Sequence, residues 1–286
     1  MGLVTSVSLM RYVVLAFLMS SAFGADLPVQ SGGDLYSGWL KMYDLKFDEA
    51  HQVFGQWKQS HPADALGPAS DAAAYLFSEL ARLGVLESEL FVDDAKFEKR
   101  AKLNPDPQMK PRFDQEIAQT ERLADATLQV TPADPEALFA KSLTFGLRAD
   151  LASLIEKQDF AALKFTKQGR AFTDKLMAIN PKAYDAYLGT GVENYLLSLK
   201  PAPLRALLWA TGSQVDREKG LQALRMTAQN GHYLEPFAKL LLAVAALRDN
   251  NRALARELLT GLHNRFPNNP LYVRELDRLT PKIAPK

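Results

Sequence analysis

The chain has 286 residues, with 34 Lys and Arg against 33 Asp and Glu for a formal net charge of +1, 47% hydrophobic residues and no cysteine. That is an ordinary foldable composition, long enough for one large domain or two small ones. The charge balance argues against a whole-surface electrostatic grip on nucleic acid. The missing cysteine excludes a disulfide framework, a Cys-ligated zinc, a thiol nucleophile and a lipid-modified N-terminal cysteine. No apolar run is long enough for a conventional spanning helix.

The chain opens with a pattern of export. Arg11 supplies one positive charge, Tyr12 to Met19 is an apolar core, and Ala22 and Gly24 fit the small-residue positions of a cleavage site before Ala25 or one residue later. This predicts a signal peptide over 1–24 and a short linker over 25–32, with an uncleaved N-terminal anchor as the alternative. The expected product is periplasmic or secreted, soluble after cleavage and not a lipoprotein. Loss of Arg11 leaves it formally neutral.

From residue 33 to 286 apolar residues recur at three- and four-residue spacing, and period-two alternation is nearly absent, which predicts about twelve helices and no strand. Asp134-Pro135-Glu136 places an N-cap acid before a proline at the first helical position, and Asn269-Pro270 repeats the device. Ser213 with Asp216 three residues on resembles a capping box. Stops fall at Gly84, Pro132, Asn180-Pro181 and Pro267. The stretch 87–111 is charged and carries Asn104-Pro105-Asp106-Pro107, which suits an irregular helix and a connector.

An internal repeat organises these helices. Gly38, Ala50, Phe54 and Pro62 fall at the small, alanine, aromatic and proline positions of a helix–turn–helix unit of roughly 34 residues. Ala255, Leu259 and Pro267 repeat the last three with the same offsets, and after Pro181 the bulky Tyr187 is followed four residues on by Gly191. Small residues at a helix crossing let two axes approach to roughly 8–10 Å. The pattern resembles the tetratricopeptide repeat family over about Ser31 to Arg278. Several units are stretched, because Pro132 to Pro181 is 49 residues and Pro181 to Pro267 is 86. The resemblance implies an all-α, right-handed superhelical array of antiparallel hairpins, with the helix from Asn269 as its cap.

The stretch from Tyr184 to Asn230 is the most distinctive. It carries Gly189-x-Gly191 on a helix, a Leu-Ser-Leu-Lys-Pro stop, an apolar bridge from Pro203 to Ala210, and Asp216-Arg217-Glu218-x-Gly220-Leu221 at the next helix start. This order is similar to the tetratricopeptide-repeat-39 and inclusion-body-clearance family and to exported bacterial repeat proteins, which implies an interaction protein with no shared catalytic activity. Two readings of the bridge stand side by side. Leu204, Leu207, Leu208 and Trp209 form a buried wedge between hairpins, or they face a partner or membrane with Lys200, Arg205, Arg217 and Lys219 at the rim. The bridge is too short for more than weak membrane contact.

Signals for chemistry are few. His51, His61, His232 and His263 show no metal-binding spacing, and surface, turn or helix-end places suit them. Gly189-Thr190-Gly191 lacks the strand and the Gly-Lys-Ser/Thr of a phosphate loop, so close packing explains it better. Asp93-Asp94 and the acids from Asp114 to Glu121 suit a solvated face, with a hydrolytic carboxylate pair as the remote alternative. Lys96, Lys99, Arg100, Lys102 and Lys110 are interleaved with acids, which does not make a nucleic-acid site. No catalytic, cofactor or metal residue is assigned. The expected function is a non-enzymatic scaffold or adaptor that holds a protein or peptide in the envelope through a concave groove. A small-ligand-binding accessory of a transport system, with its pocket around Tyr184 to Tyr195, is the alternative.

Overall fold

A computed structural model describes residues 34–86 and 103–280. The expected signal peptide, the linker and residues 87–102 of the charged connector lie outside the described residues. All that is described belongs to one compact unit.

Helix starts follow local chemistry. Asp34, Asp134, Asp216, Asn251 and Asn269 each accept a hydrogen bond from a backbone N–H in the first turn they precede, and Pro135 and Pro270 occupy positions where no N–H is missed. The helices are α1 (Leu35–Tyr43), α2 (Phe47–Ser60), α3 (Leu66–Arg82), α4 (Met109–Val130), α5 (Pro135–Asp150) and α6 (Asp159–Ile179). After them come α7 (Tyr187–Ser198), α8 (Ala202–Ala210), α9 (Arg217–Asn230), α10 (Glu235–Arg248), α11 (Arg252–Arg265) and α12 (Pro270–Leu279). A π-helical turn, Leu151–Ile155, extends α5, and a 3-10 turn, Tyr184–Ala186, leads into α7. These are twelve α-helices, and no strand occurs among the described residues. One expected start is corrected. Ser213 caps nothing: it is buried with an unpartnered hydroxyl, and Asp216 alone caps α9.

Successive helices pack against one another, except that α7 pairs with α9 and α8 stands outside the pair. Glycines allow the tightest crossings. A Cβ on Gly38 of α1 would collide with the Phe54 ring of α2. Between α7 and α9 the approach is reciprocal. A Cβ on Gly191 would lie 2.7 Å from Leu224 Cδ2, and one on Gly220 would lie 2.5 Å from the backbone nitrogen of Tyr195. Gly189, by contrast, has only Thr173 Oγ1 at 3.8 Å.

The last hairpin returns to the first. Tyr43 Oη donates to the Tyr233 carbonyl at 2.9 Å, Asp44 accepts from Asn268 N at 2.9 Å and Asn268 Nδ2 at 2.6 Å, and Asn269 Nδ2 donates to the Tyr43 carbonyl at 3.0 Å. Burial works against the Asp44 charge, but the Asn268 hydrogen bonds and Lys46 hold its carboxyl below the usual range. The helix from Asn269 therefore packs on α11 while its cap residue is bonded to the end of α1. Inside this closure the rings of Trp39 and Tyr233 stand 5.7 Å apart, Phe77 and Phe237 meet edge to face at 5.4 Å, and Phe139 stacks on Tyr233 at 6.3 Å.

The two glycine environments predict opposite signs for one substitution. Gly220→Ala meets backbone that cannot turn aside and costs about 1–3 kcal/mol. Gly189→Ala has room and gains about 0.5–1 kcal/mol from helix propensity. Urea unfolding of both variants measures the difference.

Candidate functional site

Helix α8 is the exception to the packing. It holds no buried residue, and Leu204, Leu207 and Trp209 are 41%, 60% and 70% exposed. The buried-wedge reading of this bridge is therefore corrected. The C-terminal end of α8 is nevertheless tied to α6, while its N-terminal end makes a bond within the bridge. Arg205 donates to the Lys200 carbonyl at 3.1 Å, Lys167 of α6 donates to the Thr211 carbonyl at 2.6 Å, and Arg170 donates to the Gly212 carbonyl at 2.8 Å. Beneath the following loop lie Glu193 and Asn194 of α7, both buried. Glu193 accepts from Arg170 at 2.7 Å and from the Gln214 backbone at 3.1 Å, and Asn194 accepts from the Asp216 backbone and donates to Gln214 Oε1. An apolar helix is thus presented to solvent beside a loop bonded to α6 and α7. On α6, Phe160 is 92% exposed and shares a shallow groove with Leu163, Lys164 and Lys167, the last of which reaches α8.

The residues expected to meet a partner, Lys200, Arg205, Trp209 and Arg217, are not all brought together. Lys200, Arg205 and Trp209 flank or belong to α8. Arg217 instead pairs with Asp249 at the end of α10 and lies 5.9 Å over the Tyr195 ring, so it braces α9. Among the repeat positions, Gly38, Ala50, Phe54, Gly191, Ala255 and Leu259 are buried at helix crossings. Pro62, Pro181 and Pro267 are exposed in turns, and Tyr187 donates to the Pro181 carbonyl at 3.1 Å.

A cavity of about 190 Å³ occupies the interior where α3, α5, α6, α7 and α10 converge. Its apolar wall includes Phe77, Leu80, Val192, Phe237, Leu240 and Leu241. On α5, Ser142, Gly146 and Asp150 repeat every four residues and so form one stripe along the lining. Ser142 Oγ and Thr173 Oγ1 satisfy each other at 2.6 Å. Asp150 has no such neighbour, and burial alone pushes its carboxyl up to about 7. Helix periodicity marks Asp150 as the last residue of a helix, and nothing in the local sequence says that it faces a cavity.

A second polar cluster binds α2, α3 and α4. Lys58 Nζ donates to Asp71 Oδ2 at 2.5 Å and to Glu116 Oε1 at 2.8 Å, while His51 Nδ1 pairs with the other oxygen of Asp71 and its ring lies 4.2 Å from that of Tyr75. Burial works against the charge on Lys58, but its two carboxylate partners outweigh this and raise its pKa, whereas burial pushes Glu116 up despite Lys58. Two expectations change here. His51 is part of an internal network rather than a plain surface residue. Glu116 is buried, while its neighbours Asp114 and Glu121 do lie in ion pairs with Lys110 and Arg148. Asp93 and Asp94 lie outside the described residues. Among the described residues no group of three or more His, Asp or Glu is placed to hold a metal. His61 stacks on Trp57 at 3.8 Å, His232 stacks on Tyr36 at 4.2 Å, and His263 sits in the last turn of α11.

In comparisons with known proteins, no family model matches the chain and no curated protein matches it.

Two outcomes follow from the buried charges. Lys58→Ala strands two carboxylates in a low-dielectric site and costs about 3 kcal/mol or more, and adding Glu116→Gln recovers part of the loss, as equilibrium unfolding will show. Asp150 binds its proton more tightly folded than unfolded. Its contribution therefore favours folding in acid and is lost as pH rises from about 3.8 to about 7. Asp150→Asn removes that slope: it exceeds the parent in stability at pH 8 by up to about 4 kcal/mol and matches it below pH 4. Melting temperatures across that range measure the gap.

Proposed function

We propose that the protein is an exported, non-enzymatic scaffold or adaptor of the tetratricopeptide-repeat type, a right-handed superhelical array of hairpins that binds a protein or peptide partner in the cell envelope. Export is supported by Arg11, the apolar run after it and the small residues at Ala22 and Gly24. The repeat reading is supported by the helix pairs and by the buried glycine and alanine positions at their crossings.

The observation that carries the binding function is α8. Leu204, Leu207 and Trp209 are left in water together on one short helix, and such a helix is suited to burial against something else. Lys164, Lys167, Lys200 and Arg205 around it favour a partner that surrounds its apolar contact with carboxylates. Phe77 packs on Phe237 and Phe139 on Tyr233 between the helices, which favours recognition at the bridge over recognition in a concave groove. A second reading, a small-ligand-binding accessory protein, is favoured by the central cavity, which Leu188, Gly189, Val192 and Glu193 help to line.

A photo-crosslinker at Ala206 tests the scaffold reading in intact envelopes. The parent chain is expected to capture one defined protein, and Leu207→Ser with Trp209→Ala to lose it while unfolding within about 0.5–1 kcal/mol of the parent. Retained capture, or a stability loss of several kcal/mol, would remove α8 as the recognition element.

A further inference from the structure

The central cavity has an unusual wall. Most of its lining is aliphatic or aromatic, supplied by α3, α7 and α10, and its polar groups are largely committed to one another. Arg170 and Glu193 form an ion pair, Ser142 bonds to Thr173, and Thr166 donates to the Ala162 carbonyl at 3.0 Å. The Asp150 carboxyl is the exception, because no hydrogen bond or ion pair reaches it from the other described residues, and it projects from the stripe Ser142–Gly146–Asp150 that lines the cavity. The carboxyl is partly buried and borders the cavity, so a ligand that enters there can supply the donor that the described residues do not.

The size of the space limits that ligand. A dry cavity of about 150 Å³ accommodates benzene, so 190 Å³ suits a molecule slightly larger. The wall asks for an apolar, ring-bearing body, and Asp150 asks for a donor group. A cation meets both demands better than a neutral donor. A charge-assisted hydrogen bond is roughly twice as strong as a neutral one, and the aromatic faces of Phe77 and Phe237 tolerate a nearby ammonium group. A carboxylate ligand would instead confront Asp150.

We propose that this cavity binds a small amphiphilic amine, with an apolar body of about eight to ten heavy atoms against the Phe77–Phe237 wall and an ammonium group on the Asp150 carboxylate. This site is independent of the α8 surface: it uses none of the residues exposed there, and neither proposal needs the other.

The probe is 2-phenylethylamine, compared near neutral pH with 3-phenylpropan-1-ol and 3-phenylpropanoate by calorimetry and by the shift in melting temperature of the full chain. The amine is expected to raise the melting temperature and to bind at least tenfold more tightly than the alcohol or the acid. Asp150→Asn, which should fold well, is expected to bring the amine down to the level of the alcohol. Gly146→Leu gives a second control. Gly146 lines the cavity and a Cβ there meets nothing within 4 Å, so the leucine can fill the space and is expected to abolish binding of every probe. Equal binding of amine and alcohol, unchanged amine binding by Asp150→Asn, amine binding that survives Gly146→Leu, or no melting shift with the amine would each overturn the proposal.

Discussion

The contact between the first hairpin and the last governs the rest of the molecule. A stack of helical hairpins ordinarily lets each unit touch only its neighbours and leaves its inner face open. Here Tyr43 and Asp44 at the end of α1 are bonded to Tyr233, Asn268 and Asn269, more than 180 residues away. Once those ends meet, the inner helices face one another instead of solvent. Their aromatic side chains then form a core where a groove would have been. Each of these four bonds uses a backbone group or a short side chain, so it constrains geometry closely at little entropic cost, and Arg265 adds a bond to the Tyr36 hydroxyl.

Close packing between helices and buried polar ties between loops work together. At the α7–α9 crossing Gly191 and Gly220 bring two backbones within the distance a methyl group would need. That proximity allows Glu193 and Asn194 to reach the loop of residues 211–216 and take up its amide groups. Asp185 does the same for a different loop, accepting from the backbone nitrogens of His232, Tyr233 and Leu234. Buried carboxylates are expensive when isolated, but Glu193 is matched to Arg170 and a backbone donor, and the partly buried Asp185 takes up three backbone donors, which ties each loop to a helix or turn below it.

This rigidity gives meaning to the two features that escape it. Helix α8 is tied down at its C-terminal end yet buries none of its apolar residues, and Asp150 lines a cavity yet is bonded to nothing among the described residues. In a loosely packed chain either feature would signify little. Here the neighbouring crossings are tight, and the two binding proposals rest on these two features.

What the sequence determined by itself was the local order: helices throughout, starts at Asp134-Pro135 and Asn269-Pro270, an end at Gly84, where φ is +65°, and glycines where helices cross. Those features depend on residues three or four apart, whose relation is set by the helix itself. Even there Ser213 misled, because a hydroxyl three residues before an acid can cap a helix or be buried, and only its surroundings decide. Tertiary structure alone decided that α8 lies in solvent, that His51, Lys58, Asp71 and Glu116 form one network, that the last hairpin meets the first, and that Asp150 faces a cavity. Each of these joins segments distant in the chain. An apolar or charged residue carries the same local signal whether it is covered or not, and only the path of the whole backbone determines what stands opposite it.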